Sequence, residues 1–199
     1  MIPPGQLTGA VLAGGQSRRM GRDKATLLMD GQPLWQRQVR LLRSLGANPV
    51  AVVRRPSQAA LGLPSDIPLW QDTVANIGPL AGLHAALAAA RTDWLAVVAT
   101  DMPALDGSWF NWLGKSCSTG CGAIARRNDG IFEPLAAIYP QAAMGEVESR
   151  LAGPDHSLQS LARWLVAQQR LVAVPLPAAN AGQVVSWNTP ADAGLTAAD

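Results

Sequence analysis

The chain has 199 residues, 48% of them apolar, with 16 basic and 14 acidic side chains and two cysteines. That is enough for a single α/β domain over residues 1–199 with a substantial core. The totals exclude a membrane helix, because no apolar run approaches the roughly 20 residues one needs, and a disulfide framework. A net charge of +2 is too small to make a nucleic-acid surface.

The N-terminus, MIPPGQLTG, has neither a basic n-region nor an apolar h-region, so a cytoplasmic location is expected. A buried strand is predicted at Ala10, Val11 and Leu12. It stops at Ala13-Gly14-Gly15 and gives way to Ser17, Arg18, Arg19, Arg22 and Lys24. Adjacent glycines leave no side chain between the backbone and a ligand. Their amides can converge on phosphate oxygens while the basic side chains neutralise charge. Residues 1–55 hold nine of the sixteen basic residues against two acids, Asp23 and Asp30, giving that segment +7 and the remainder −5. A positive patch beside a glycine turn favours an anionic ligand. Neither the Walker pattern nor the dinucleotide fingerprint is present: Gly14 and Gly15 are adjacent, the next glycine is Gly21, and Ala25 follows Lys24.

Further along, Ala25–Met29 is a short apolar piece closed by the turn dipeptide Asp30-Gly31. Helical spacing of Trp35, Val39, Leu42 and Leu45 predicts a helix from Pro33 to Leu45, with Gly46 as its C-terminal cap. Pro49–Val53 reads as a second parallel strand, followed by a short helix near Ser57–Leu61 and a short strand at Pro68–Trp70. Gly78-Pro79 opens a helix through Ala90. Trp94–Ala99 is a continuous apolar run, as expected of a strand covered on both faces, and ends in Thr100-Asp101-Met102-Pro103. A helix at Ser108–Lys115 precedes strands at Gly122–Arg127 and Ile131–Tyr139, joined by the hairpin signal Asn128-Asp129-Gly130. Helices at Gln141–Leu151 and Ser157–Gln168, a strand at Leu171–Pro175 and a last helix starting at Thr189-Pro190-Ala191-Asp192 complete the pattern. Alternating strands and helices in the first hundred residues predict a doubly wound α/β fold, in which ligands bind at the carboxyl ends of strands. The glycine loop, Asp72 and Asp101 all stand at such ends. Cys117 and Cys121 are expected as free thiols, since neither His84 nor His156 has ligand-like spacing to them.

The stretch LAGGQSRRMGRDK resembles the signature loop of the molybdenum cofactor guanylyltransferases, which belong to a wider nucleotidyltransferase superfamily. Leu12, Gly14, Gly15, Ser17, Arg19, Met20, Gly21 and Lys24 fall in register with it. The resemblance implies a Rossmann-like three-layer α/β sandwich with a mostly parallel central sheet. It implies transfer of GMP from GTP to molybdopterin with Mg²⁺, giving the guanine dinucleotide cofactor and pyrophosphate. Lys24 then corresponds to the family's triphosphate-contacting lysine, with Arg19 assisting. Asp101 in TDMP corresponds to the metal ligand, and Thr100 departs from the cysteine often found before it. Leu12, Ala13, Gly14, Gly15, Lys24, Asp72 and Asp101 make up the implied nucleotide site, with Asp72 preceding GPLAG as in the family. Asn188 in SWNTP and Glu133 in FEPLAAIY fall at the acceptor side, although Ser186 replaces the first asparagine of the family's NxNTP. Arg54 departs from an asparagine that some members place at the end of the second strand, so that contact is not carried over.

Within the superfamily, cytidylyl enzymes usually carry LAAG and DQP where this chain has LAGG and DMP. Sugar-phosphate enzymes commonly run longer. A non-catalytic nucleotide-binding module for cofactor delivery is the alternative from another class; loss of Lys24 or Asp101 would have favoured it, and both are present. Expected partners are GTP, molybdopterin and, for delivery, cofactor-inserting chaperones and molybdoenzymes. Neither nucleic acid nor a membrane is expected as a partner, and the chain is expected to be monomeric.

Overall fold

Small and β-branched residues set the centre of the molecule. In the computed structural model, which describes residues 2–15, 23–72, 74, 77–189 and 192, the strands are β1 (Leu7–Leu12), β2 (Leu28–Met29), β3 (Gln32–Pro33), β4 (Val50–Arg54), β5 (Leu69–Gln71), β6 (Trp94–Ala99), β7 (Gly122–Arg126), β8 (Ala136–Pro140) and β9 (Leu171–Pro175). The α-helices are α1 (Leu34–Ser44), α2 (Pro79–Ala89), α3 (Gly107–Gly114), α4 (Met144–Ala152) and α5 (Leu158–Ala167). Seven strands form one sheet in the order β5-β4-β1-β6-β8-β7-β9. All neighbours are parallel except β8, which runs antiparallel to both β6 and β7. β2 and β3 form a separate small hairpin. Its turn, Asp30-Gly31, takes φ of 53° and 73°, the left-handed pair that a two-residue hairpin loop favours.

β1 and β6 are buried along their whole length because helices cover both faces. Val11, Val50, Val52, Ala96 and Val98 face a core shared with α1 and α3. Ala10, Leu12, Val53, Leu95 and Val97 face a second core shared with α2 and α5. This is the expected three-layer sandwich with a mostly parallel sheet. β4 and β5 lie on one side of β1 and β6 on the other. The sheet therefore reverses direction at β1, and the crevice at the carboxyl ends of β1 and β6 is where such a sheet binds its ligand.

Two expectations need correction, and one element was not expected. No helix forms at Ser57–Leu61: Pro56 and Ser57 make a turn and the chain then runs irregularly. Five residues are too few to repay helix nucleation, and the Gln58 side chain is drawn instead to the backbone of Arg55, Ala13 and Gly15. The strand expected from Ile131 begins only at Ala136. The hairpin closes with Gly130 at φ 84° and a bridge between Arg126 and Phe132, but Pro134 has no N–H to continue the ladder. A 3₁₀ helix at Ala178–Val184 was not foreseen. Beyond it, Thr189 and Asp192 cap each other: Thr189 Oγ1 accepts from Asp192 N at 3.4 Å and Asp192 Oδ2 accepts from Thr189 N at 2.8 Å. That is the expected helix-start signature; the residues over which a helix was expected to follow lie outside the described residues. Among the described residues, no helix is long and apolar enough to cross a membrane.

Glycine is required at Gly122 by close approach. A Cβ there would stand 2.0 Å from the carbonyl oxygen of Ile138 on β8. Exposed Gly145 in α4 has open space around it. Gly122→Ala is expected to destabilise the fold by at least about 2 kcal/mol, on the scale of core overpacking. Gly145→Ala is expected to stabilise it by up to about 1 kcal/mol. Urea denaturation of the two variants checks the pair; equal midpoints would contradict the packing described here.

Candidate active site

The end of β1 is held from three sides. Leu12 O accepts from Thr100 N at 3.3 Å, and Ala13 N donates to Val53 O at 2.9 Å. Gln58 Nε2 donates to Ala13 O at 3.2 Å and Gly15 O at 3.4 Å, while its Oε1 accepts from Arg55 N at 3.0 Å. One amide side chain thus props the glycine turn against the segment after β4. With no Cβ at Gly14 or Gly15, the turn presents bare backbone to the crevice.

Opposite it, a single 3₁₀ turn (Lys24–Thr26) is capped by Asp23, whose Oδ1 accepts from Ala25 N at 3.0 Å. The turn sends Lys24 towards the end of β6. There Lys24 Nζ donates to Asp101 Oδ2 at 3.0 Å and to Asn188 Oδ1 at 2.9 Å. The segment carrying Asn188 is pinned by Trp187, whose N–H donates to Asp101 O at 2.8 Å and whose side chain packs on Leu27 and Leu34. The loop after Asp101 is held from α1: Gln38 Nε2 donates to Met102 O and Arg37 Nε to Pro103 O, both at 2.8 Å.

These groups surround a cavity of about 440 Å³, within the usual range for a small-molecule site. Its wall includes Leu12, Ala13, Gly14, Gly15, Lys24, Asp72, Asp101 and Asn188. All eight were singled out from the sequence, and the fold brings them together. Arg19 lies outside the described residues. Glu133, expected at the acceptor side, does not line the cavity, although its neighbour Leu135 does. Glu133 is buried and paired with Arg127; burial raises its pKa, and the Arg127 contact partly offsets this. Arg54 also stands off the cavity, and Arg55 lines it instead. Strand alternation explains the exchange, because neighbouring residues point to opposite faces. Gln58, Asp23 and Arg55 were missed. An acid immediately before KAT was the one available signal for Asp23, whereas Gln58 acts through contacts distant in sequence.

Asp72 is 7% exposed. Its N–H donates to Arg54 O at 2.8 Å and its Oδ1 accepts from Val74 N at 3.1 Å. Burial raises its pKa, against the lowering effects of the Val74 N–H and of the nearby charges of Arg55 and His84. Among the described residues, no group of three or more His, Cys, Asp or Glu side chains could cage a metal. Asp101 on the cavity wall does suit a hard cation of the Mg²⁺ type. Such an ion takes one or two carboxylates and completes its shell with waters and phosphate oxygens.

Comparison with known proteins places this geometry. The sequence profile of the MobA-like NTP transferase domain matches residues 9–185. A probable molybdenum cofactor guanylyltransferase from Opitutus terrae is 48% identical over 189 residues, 94% of this chain and 92% of the relative. A molybdenum cofactor guanylyltransferase from Pseudomonas putida is 34% identical over 160 residues, 79% of this chain and 82% of the relative. The crystal structure of molybdopterin-guanine dinucleotide biosynthesis protein A from Archaeoglobus fulgidus superposes with a TM-score of 0.74 at 24% identity, covering 94% of this chain and 95% of that one. This last likeness bears on the fold alone.

The Asp72 environment gives a pH prediction. With its folded pKa above the unfolded value, Asp72 favours the folded state at low pH, and that contribution is lost as pH rises through the folded pKa. Asp72→Asn keeps an oxygen for the Val74 N–H. It is expected to raise Tm at neutral pH, an advantage that narrows as the pH falls toward about 4. Thermal melts of both proteins across that range check it; a pH-independent difference would contradict the burial effect.

Proposed function

The chain belongs to the MobA-like NTP transferase family, and we propose from that premise that the crevice between β1 and β6 is its nucleotidyl-transfer site. The protein is a molybdenum cofactor guanylyltransferase: it transfers GMP from GTP to molybdopterin, forming molybdopterin guanine dinucleotide and releasing pyrophosphate. The observation that carries the site assignment is the meeting of Lys24 Nζ and the Asp101 carboxylate at 3.0 Å on a cavity walled by the Gly14-Gly15 backbone.

Nucleotidyl transfer asks the protein to hold donor and acceptor in line and to stabilise charge on oxygen. The glycine turn receives the triphosphate without a side chain in the way. Lys24 supplies a compact positive charge, 15% exposed along its side chain, where partial exclusion of water strengthens it. Asn188 orients that ammonium. Asp101 is the residue proposed to hold a divalent cation, taken to be Mg²⁺, which would supply positive charge against the charge that develops on the phosphate oxygens. Asn188 also faces the acceptor, and Arg19 is proposed to assist the triphosphate. Glu133, set back behind Leu135, would act on the acceptor region indirectly. A cytoplasmic, monomeric, single-domain enzyme that passes its product to cofactor-inserting chaperones and molybdoenzymes completes the proposal.

Base choice is proposed to fall on Gly14, Arg55 and Asp72. The Ala13 N–H and C=O are engaged by Val53 and Gln58. Arg55 can only donate and an ionised Asp72 can only accept. Together they complement guanine, with its carbonyl acceptor and its imino and amino donors.

Pyrophosphate release with GTP, Mg²⁺ and molybdopterin tests the proposal. Lys24→Ala is expected to lower turnover about 10²-fold or more; near-wild-type turnover in a folded variant would remove Lys24 from the site. Asp101→Asn should weaken metal-dependent activity far more than stability. A metal titration with unchanged optimum and rate would dismiss Asp101 as the ligand. GTP is expected to exceed CTP and ATP in kcat/KM by roughly tenfold to a hundredfold, the scale of one unpaired buried polar group. Equal values, or CTP ahead, would overturn the guanylyl assignment.

A further inference from the structure

Arg54, the last residue of β4, is 3% exposed. Its Nη2 donates to Asp23 Oδ2 at 2.5 Å. Its Nε and Nη1 are buried and have no hydrogen-bond partner among the described residues. A buried guanidinium with donors left unmade is less favourable for stability than a well-packed apolar side chain of similar volume. Packing therefore does not account for an arginine at this position, whereas its contact with Asp23 does.

Asp23 divides its carboxylate between two tasks. Oδ2 receives Arg54, and Oδ1 caps the Lys24–Thr26 turn through Ala25 N at 3.0 Å. With one oxygen fixed by a buried cation, the carboxylate cannot rotate away from the cap. The cap in turn sets the direction in which Lys24 leaves the backbone toward Asp101 and Asn188. The backbone of Arg54 does related work on the other wall, since its carbonyl accepts from Asp72 N at 2.8 Å. One residue at the end of the buried strand β4 thus ties the sheet to the lysine turn and to the Asp72 segment.

We infer that Arg54 and Asp23 are a positioning pair that presets the Lys24 ammonium for the transferred phosphate. This rests on the assignment of Lys24 to the triphosphate made above. Arg54 stands off the cavity and Asp23 is on its wall; the pair acts on Lys24 through the turn. Its loss appears in kcat more than in nucleotide KM, because the lysine's charge is retained while its placement is relaxed. Misplacement of a catalytic group by about 1 Å is enough for losses up to roughly 10²-fold.

The test is a double-mutant cycle on the full chain. It measures kcat and KM for GTP with Mg²⁺ and molybdopterin, together with thermal stability. Arg54→Met removes the charge at similar bulk. Asp23→Asn keeps an oxygen for the Ala25 cap and loses the charge pair, so either variant answers if the other fails to fold. Each is expected to lower kcat by about 10- to 100-fold with little change in KM. Neither should lower kcat further when added to Lys24→Ala. Arg54→Lys is expected to restore part of the rate. Wild-type kcat in both single variants, or full additivity with Lys24→Ala, would overturn the positioning role while leaving the Lys24 assignment intact. Wild-type kcat in Lys24→Ala would overturn both, so the two failures are distinguishable.

Discussion

The contact between Lys24 and Asp101 is the constraint on which the site depends. It joins a turn near the start of the chain to the end of β6, 77 residues later, and Asn188 closes it from 164 residues away. Such contacts carry a loop-closure cost that grows slowly with chain length, and here the sheet has already met it. β1 and β6 are paired along their full length, so the Gly14-Gly15 turn and Asp101 are neighbours before any site contact forms. The ion pair then fixes the third side, with the Trp187 N–H on the Asp101 carbonyl and the Trp187 ring against Leu27 and Leu34.

Two features, one on the cavity wall and one behind it, oppose stability. Asp72 is buried with a raised pKa, and Arg54 is buried with two donor groups that have no partner among the described residues. A fold with two apolar cores on either face of a seven-stranded sheet can carry such local costs. Their clustering around one crevice is what a functional site looks like when local rules of burial and pairing are broken together.

The architecture was legible because its determinants are local. WLAVVA admits little besides a strand covered on both faces, and Gly78-Pro79 announces the start of α2. Asp30-Gly31 and Asn128-Asp129-Gly130 mark turns that the structure contains. The cavity wall was legible at Gly14, Gly15, Asp72 and Asp101, because polar clusters at the carboxyl ends of parallel strands are drawn to the same crevice. What escaped detection depends on tertiary contact. Gln58 sits in an apparently helical segment and is captured by the backbone of Ala13, Gly15 and Arg55. Which arginine of the pair Arg54-Arg55 lines the cavity depends on strand phase, and a shift of one residue exchanges the two faces. Glu133 is off the cavity wall for a related reason: Pro134 interrupts the ladder, so the chain leaves the sheet and returns only at Ala136.

The most direct test of the central claim follows the phosphorus atom. With GTP labelled at the α-phosphate, molybdopterin and Mg²⁺, a guanylyl transfer centred on Lys24 and Asp101 places the label in a molybdopterin dinucleotide, one label per pyrophosphate released. Label recovered as GMP or GDP, with none in a molybdopterin product, would contradict the account.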